Sequence, residues 1–250
     1  GASIVRVELL DTAWVRGGLR RGDLVAALVG RQVTGVGRHG KVVLVHTDGP
    51  TVALRFGMTG RLLWGEHGPV DSLVYGPRRS DEAWVRLALW MEGTEAAPGG
   101  RLAVEDVRRL GSVALNPDLG ALGPDARGLT AEGLRVLLEG GRGALKSRLM
   151  DQRRLAGLGN LLTDEILWRA GLHPTRRAGG LEPDEIELLC ITIAGVLDDL
   201  TARGGSHLGD LQQERDAGGT CPIDGAPLRR TTVGGRTSFW CPRHQMPGLD

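Results

Sequence analysis

Lysine is almost absent from this chain: of its 31 basic residues only Lys41 and Lys146 are lysine, and the other 29 are arginine. A lysine that survives such a bias points to a place needing a compact ammonium whose proton can be lost near neutral pH, although two chance survivors would look the same. Cysteine is scarce as well. Three in 250 residues do not build a disulfide framework, which fits reducing conditions. No apolar run reaches the roughly 18 residues that span a bilayer, and the N-terminus lacks the charged-then-apolar pattern of a secretory signal. A soluble cytoplasmic monomer with no membrane partner is expected. Net charge is small too, +1 with a pI near 8.0, well short of a strongly basic nucleic-acid-binding domain.

What is present suffices for packed cores. Hydrophobic residues make up 41% of the chain, and 250 residues allow one large or two modest domains. Glycine, at 40 residues, is about twice as frequent as usual. Positive charge is concentrated rather than abundant: residues 146–154 carry four basic residues against one acid, and 215–243 carry five arginines against two aspartates.

Residues 1–115 read as β-rich. Val5, Val7 and Leu9 alternate with Arg6 and Glu8, and residues 42–46 pair with 52–56 across Thr-Asp-Gly-Pro as a hairpin with Lys41 at its entrance. Apolar runs at 84–91 and 101–104 add strands around a glycine- and proline-rich loop. A two-layer β-sandwich is expected. Residues 116–124, with two prolines, two glycines and no periodicity, read as the linker. Helical patterning covers 125–209: Leu134, Leu137 and Leu138 mark one helix, and Glu182-Pro183-Asp184 starts a long one through Leu200, with Cys190 buried in its apolar face.

Between those helices, residues 146–174 read as a helix, a glycine-bracketed turn and a second helix. Leu145, Leu149 and Leu155 give the first an apolar stripe, while Gly157 and Gly159 let the backbone turn through positive φ. Asn160 is placed as the N-cap of the second helix, Asp164 and Glu165 at its positive end, and Gly171 with Pro174 at its stop. Bare backbone at a helix N-terminus, surrounded by Lys146, Arg148, Arg153 and Arg154, would hold an anion, with nucleic-acid phosphate the natural one. An ordinary helical hairpin is the alternative.

The tail, 210–250, holds Cys221-Pro-Ile-Asp224 and Cys241-Pro-Arg-His244, separated by sixteen residues. Two such pairs across a hairpin-length insert have the spacing of a zinc ribbon, in which one structural ion substitutes for a core the segment cannot build. Cys221, Asp224, Cys241 and His244 are the candidate ligands. A metal-free hairpin is the alternative.

Residue by residue, Lys146, Leu149-Met-Asp-Gln152, Gly157-Leu-Gly-Asn160, Asp164-Glu165 and Ala170-Gly-Leu-His-Pro174 resemble the helix-two-turn-helix of the formamidopyrimidine-DNA glycosylase and endonuclease VIII family. Gly37-Arg-His-Gly-Lys41 resembles that family's Arg-Arg-Gly-Lys hairpin, Phe56-Gly-Met-Thr-Gly-Arg-Leu62 its Leu-Gly-Met-Thr-Gly-Arg-Leu, and Gly235-Arg-Thr237 its hairpin tip. Val107-Arg-Arg-Leu-Gly111 resembles its Pro-Arg-Arg-Phe-Gly loop, with Leu110 in place of the phenylalanine wedge. The family's four zinc cysteines correspond to Cys221, Asp224, Cys241 and His244.

The resemblance implies an α+β protein with an N-terminal β-sandwich and a C-terminal helix-two-turn-helix domain bearing a zinc-ribbon hairpin. Its partner would be double-stranded DNA with damaged bases or abasic sites, in a nucleoid-associated, bacterial-type setting. By carry-over, Lys41 contacts phosphates near the lesion and assists proton transfer, so it is the candidate catalytic residue. Met58 fills the gap left by an everted nucleotide, with plain core as its alternative. Arg108 reads the orphaned partner base beside the Leu110 wedge, and Lys146, Asn160 and Arg236 bind phosphate. The family opens with Met-Pro-Glu-Leu-Pro-Glu and a helix, whereas Gly1-Ala-Ser-Ile4 matches a segment just after that helix. These 250 residues are therefore expected to bind abasic-site duplex with little covalent trapping. The implied activity is base excision by a Schiff-base mechanism with cleavage at the abasic site. A non-catalytic binder of damaged DNA, or a generic zinc-ribbon interaction protein, would be the alternatives.

Overall fold

The computed structural model describes residues 1–68, 76, 79–95 and 98–247. They divide into two compact units, Gly1–Leu119 and Gly120–Asp250. Among the described residues no helix is long and apolar enough to cross a membrane.

The first unit contains β1 (Ser3–Leu9), the helix α1 (Arg21–Leu28), β2 (Val33–His39), β3 (Val42–Thr47), β4 (Val52–Arg55), β5 (Gly60–Trp64), β6 (Val85–Glu92), β7 (Gly100–Asp106) and β8 (Ser112–Leu115). Two antiparallel sheets, β1-β6-β7-β5 and β2-β3-β4-β8, make the sandwich. Ile4, Val7, Leu9, Leu87, Leu89 and Val104 of one sheet bury their side chains with Val45, Val52, Leu54 and Val113 of the other. In the loop joining β6 to β7, residues 96–97 lie outside the described residues.

Two details depart from the expected strand pattern. A β-bulge between Ile4 and Arg6 shifts the alternation of β1, so Ile4 is buried and Val5 is half exposed. The helix α1 was hidden in the sequence because only Leu24 and Leu28 anchor it; the Asp23 carboxylate accepts the Arg20 backbone N–H at 3.1 Å and starts it.

Sheet register gathers several loops at one end of the sandwich. Arg55, the last residue of β4, pairs with Val42 on β3 and with Ser112 on β8, while Gly60 opens β5 opposite Asp106, the last residue of β7. Lys41, the 56–60 turn and the 107–111 loop therefore share that end.

The second unit packs α2 (Ala131–Leu138), α3 (Leu145–Met150), α4 (Asn160–Arg169) and α5 (Pro183–Ala202) around Leu134, Leu145, Leu149, Ile166, Leu189 and Ile193. Pro183 opens α5, whose capping box is closed by Glu182 and Glu185. Cys190 is half-buried rather than fully buried, and its thiol donates to the Leu129 carbonyl at 3.3 Å. The strands β9 (Arg229–Val233) and β10 (Arg236–Trp240) form a hairpin with Arg236 opposite Val233. Its two-residue turn, Gly234-Gly235, has φ of 56° and 72°, which only glycine adopts freely at both positions.

The helix–turn–helix corrects three expectations. The first helix ends at Met150, so Leu155 is buried from the turn and does not extend a helical stripe. Gly157 has φ of 118°, but Gly159 has φ of −110° and is extended. Gly159, not Asn160, is the N-cap of α4; Asn160 is the first helical residue and its side chain makes no capping bond. Gln152 shapes the turn instead. Its amide nitrogen donates to the Met150 and Leu158 carbonyls at 2.9 Å each, and its oxygen accepts the Gly157 N–H at 3.0 Å. At the other end, Leu172 N–H bonds to Leu167 carbonyl and Gly171 N–H to Trp168 carbonyl, a complete Schellman stop.

Candidate nucleic-acid interface and metal centre

At the gathered end of the sandwich, two loops meet. Gly57 has φ of 61°, and a Cβ placed on it would lie 2.6 Å from that of Leu110, so the 56–60 turn and the 107–111 loop touch where glycine alone leaves room. The Arg108 guanidinium lies 4.0 Å from Met58 Sδ. Met58 and Leu110 are each 46% exposed, which decides Met58 against the core. Lys41 is exposed at the β2–β3 turn.

Beneath these side chains the polar groups are buried and paired. Asp106, fully buried, accepts from Trp14 Nε1 at 3.0 Å, Thr59 Oγ1 at 2.7 Å and the Gly111 N–H at 2.6 Å. Arg86 Nε donates to the Asp106 backbone carbonyl at 2.8 Å. Arg109 has φ of 56°, rare without glycine, and pairs with Asp11 at 2.8 Å.

In the second unit the cations sort themselves by burial. Lys146 is fully buried. Its ammonium pairs with Asp164 at 2.7 Å and donates to Ser238 Oγ at 2.5 Å and the Thr237 carbonyl at 3.0 Å. A side chain so enclosed cannot meet a phosphate, which corrects the expected role of Lys146: it ties α3 and α4 to β10. Burial pushes its ammonium below the ordinary lysine value, with Asp164 opposing. Asp164 also pairs with Arg215 and accepts the Phe239 N–H, so it does not serve the helix dipole. Glu165 likewise turns inward, accepting the backbone N–H groups of Asp210 and Leu211 and pairing with Arg169. Arg148 donates to the carbonyls ending α2, so of the four expected anion-binding cations only Arg153 and Arg154 are exposed.

Arg236 and Asn160 are placed differently. Arg236 is exposed at the start of β10, beside a tip seated so closely on α3 that a Cβ on Gly234 would lie 2.6 Å from Ser147 Oγ. Asn160 Oδ1 is buried and has no hydrogen-bond partner among the described residues.

Cys221, Asp224, Cys241 and His244 come together with their ligand atoms all within 4.8 Å of one another. His244 Nδ1 lies 3.0 Å from Asp224 Oδ2 and 3.8 Å from Cys221 Sγ, and Cys241 Sγ lies 3.3 Å from Asp224 Oδ2. A tetrahedral ion with bonds of about 2.0–2.3 Å holds its ligands about 3.3–3.8 Å apart, and the separations of 3.0, 3.3 and 3.8 Å lie close to that range, near enough for the four side chains to close on one ion. Hydrogen bonds from His244 and from the Ala226 N–H hold the Asp224 carboxyl well below the usual carboxylate range, keeping it anionic. Trp168, on α4, serves two of the ligands. Its indole donates to Cys221 Sγ at 3.3 Å, and its carbonyl lies 3.2 Å from His244 Nε2; with Nε2–H donating there, a metal would take Nδ1 in place of the contact with Asp224.

His173 is buried in a T-shaped contact with Trp240, ring centroids 4.2 Å apart, and its Nε2 has no hydrogen-bond partner among the described residues. Burial lowers its pKa. The unfolded chain takes up a proton near the ordinary value of about 6.5, whereas the folded chain resists until lower pH. Stability should be complete above that value and fall as pH drops through it toward the folded pKa. His173→Phe keeps the ring and should flatten the slope of melting temperature between about pH 7.5 and 5.5; an unchanged slope would assign the acid sensitivity elsewhere.

Residues 1–113 match the family model described as formamidopyrimidine-DNA glycosylase N-terminal domain, and residues 121–210 match the formamidopyrimidine-DNA glycosylase H2TH domain. Among curated proteins, a formamidopyrimidine-DNA glycosylase of Novosphingobium aromaticivorans is 35% identical, covering 89% of this chain and 85% of its own. One from a Roseiflexus species is 32% identical, covering 98% and 93%. A solved structure of the Lactococcus lactis formamidopyrimidine-DNA glycosylase, bound non-covalently to DNA containing an abasic site, superposes with a TM-score of 0.80 at 25% identity, covering 98% of this chain and 93% of that one.

Proposed function

We propose, from the premise that the chain belongs to the formamidopyrimidine-DNA glycosylase family, that it acts in base excision repair on double-stranded DNA carrying oxidised bases or abasic sites, as a glycosylase with abasic-site lyase activity. One observation carries this reading. Met58 and Leu110 are exposed, with the Arg108 guanidinium beside Met58, on loops rooted in a buried carboxylate. Extruding a base leaves unstacked neighbours and a hole, which apolar side chains fill while a cation meets the partner base.

Around that cluster the other roles follow from position. Lys41, at the same end of the sandwich, contacts phosphates near the lesion and assists proton transfer. Arg236 grips the phosphate of the flipped nucleotide from the hairpin tip. The Asn160 amide, not spent on capping, donates to phosphate from the start of α4. Cys221, Asp224, Cys241 and His244 hold one zinc ion, whose contribution is to fix the hairpin fold that presents Arg236.

Duplexes with and without an abasic site test the reading: the damaged one should bind more tightly, and equal affinity would sink it. Base release from a formamidopyrimidine-containing duplex is the activity to assay, and borohydride trapping reports separately whether an amine of the chain reaches C1′. Arg236→Ala should weaken binding and reduce the slope of log affinity against log salt by roughly 0.9, the share of one phosphate contact. An unchanged slope would take Arg236 off the DNA path.

A further inference from the structure

We infer that Asp106 is a positioning residue that joins the 56–60 turn and the 107–111 loop into a single reading head, so that filling the vacated space and reading the partner base occur as one event. This rests on the roles proposed above for Met58, Arg108 and Leu110.

Asp106 engages both loops with its two carboxylate oxygens. Oδ1 accepts from Thr59 Oγ1, the neighbour of Met58, at 2.7 Å. Oδ2 accepts from the Gly111 N–H at 2.6 Å, next to Leu110, and from Trp14 Nε1 in the sandwich core at 3.0 Å. One fully buried carboxylate thus holds both loops and anchors them to a tryptophan that is itself 1% exposed. The Arg108 N–H reaches back to Thr59 Oγ1 at 3.3 Å, closing the link between loops.

Further contacts stiffen the 107–111 loop. The Arg86 guanidinium holds the Asp106 carbonyl and lies 3.9 Å from Asp11, and Asp11 in turn pairs with Arg109. Arg109 keeps its left-handed backbone because these partners over-determine it. The exposed residues project from a base whose Trp14, Thr59, Arg86 and Asp106 are buried. Side chains that must enter a duplex together gain from sharing one base, because the ordering entropy of two loops is then lost on folding and not on binding.

Thr59 gives the cleaner test, since Asp106→Ala strands the Trp14 indole and the Gly111 N–H and can fail to fold. Thr59→Val keeps the side-chain volume and removes only the hydroxyl that joins the two loops. The full chain and this variant are compared for thermal melting, for affinity to intact duplex, and for affinity to abasic-site duplex with each of the four bases opposite.

Folded Thr59→Val should bind intact duplex as the parent does, while its preference for the abasic duplex falls roughly tenfold and its spread across opposite bases narrows. Thr59→Ser, which restores the hydroxyl, should recover both. In a cycle with Leu110→Ala the two effects should not add, because each disables the same head. A folded Thr59→Val with the parental preference and the parental order of opposite bases would overturn the inference. A parent chain with no preference for the abasic duplex would instead overturn the proposed function on which it rests.

Discussion

Lys146→Met should destabilise the second unit by about 3 kcal/mol, the scale for breaking a buried ion pair from one side. The ammonium is fully buried, and its loss takes a donor from the Ser238 hydroxyl, leaves the Thr237 carbonyl with the longer 3.5 Å contact from Arg215, and leaves Asp164 with Arg215 and the Phe239 N–H as its partners. Lys146→Arg should destabilise as well. Three acceptors converge on one nitrogen, which suits the three tetrahedral donors of an ammonium and not the planar fork of a guanidinium. In a chain otherwise given over to arginine, that geometry explains why lysine stands here. Denaturant titration measures the loss. The slope of log affinity against log salt should stay at its parental value in whatever fraction remains folded; a drop of about 0.9 would return Lys146 to the phosphate path.

Cys241→Ser should have the largest effect of all on the tail. A structural zinc contributes about 10–16 kcal/mol in isolated finger peptides, and removing one thiolate forfeits a large part of it. Among the described residues the packing around the quartet is slight: Leu211, Ala226 and Leu228 with Trp168 are the apolar side chains gathered there beside the two cysteines. Strong chelation of the parent chain should reproduce the substitution, with loss of hairpin order, of the Arg236 contribution to binding, and of one equivalent of zinc by metal analysis. A chelated, metal-free chain with its hairpin amide protection intact would remove the metal from the account.

Short-range pattern carried much of this into the sequence. Two apolar runs across Thr-Asp-Gly-Pro marked a hairpin, two Cys-x-x-ligand pairs marked the quartet, and glycines with Asn160 marked a turn between helices. What pattern could not carry is charge turned inward. Lys146, Asp164 and Glu165 look solvent-facing in one dimension, because the groups that satisfy them stand far off: Thr237 and Ser238 lie 91 and 92 residues from Lys146, and Arg215 lies 51 from Asp164. Asp106 is the same case, with Trp14 92 residues before it and Thr59 47. The misplaced cap at Asn160 has a different origin. Asparagine is a favoured N-cap, but Gly159 already supplies the extended backbone that starts α4, and the asparagine falls one position inside.

Trp168 divides its work between parts that inheritance treats differently. The carbonyl facing His244 belongs to the main chain and passes unchanged through almost any substitution at this position. The indole N–H facing Cys221 belongs to the side chain and is lost with the first change to another aromatic. A lineage of this protein can therefore drift at position 168 and keep its histidine oriented while its cysteine goes without a donor. The cysteine end of the quartet is the end at which variation in α4 would be felt.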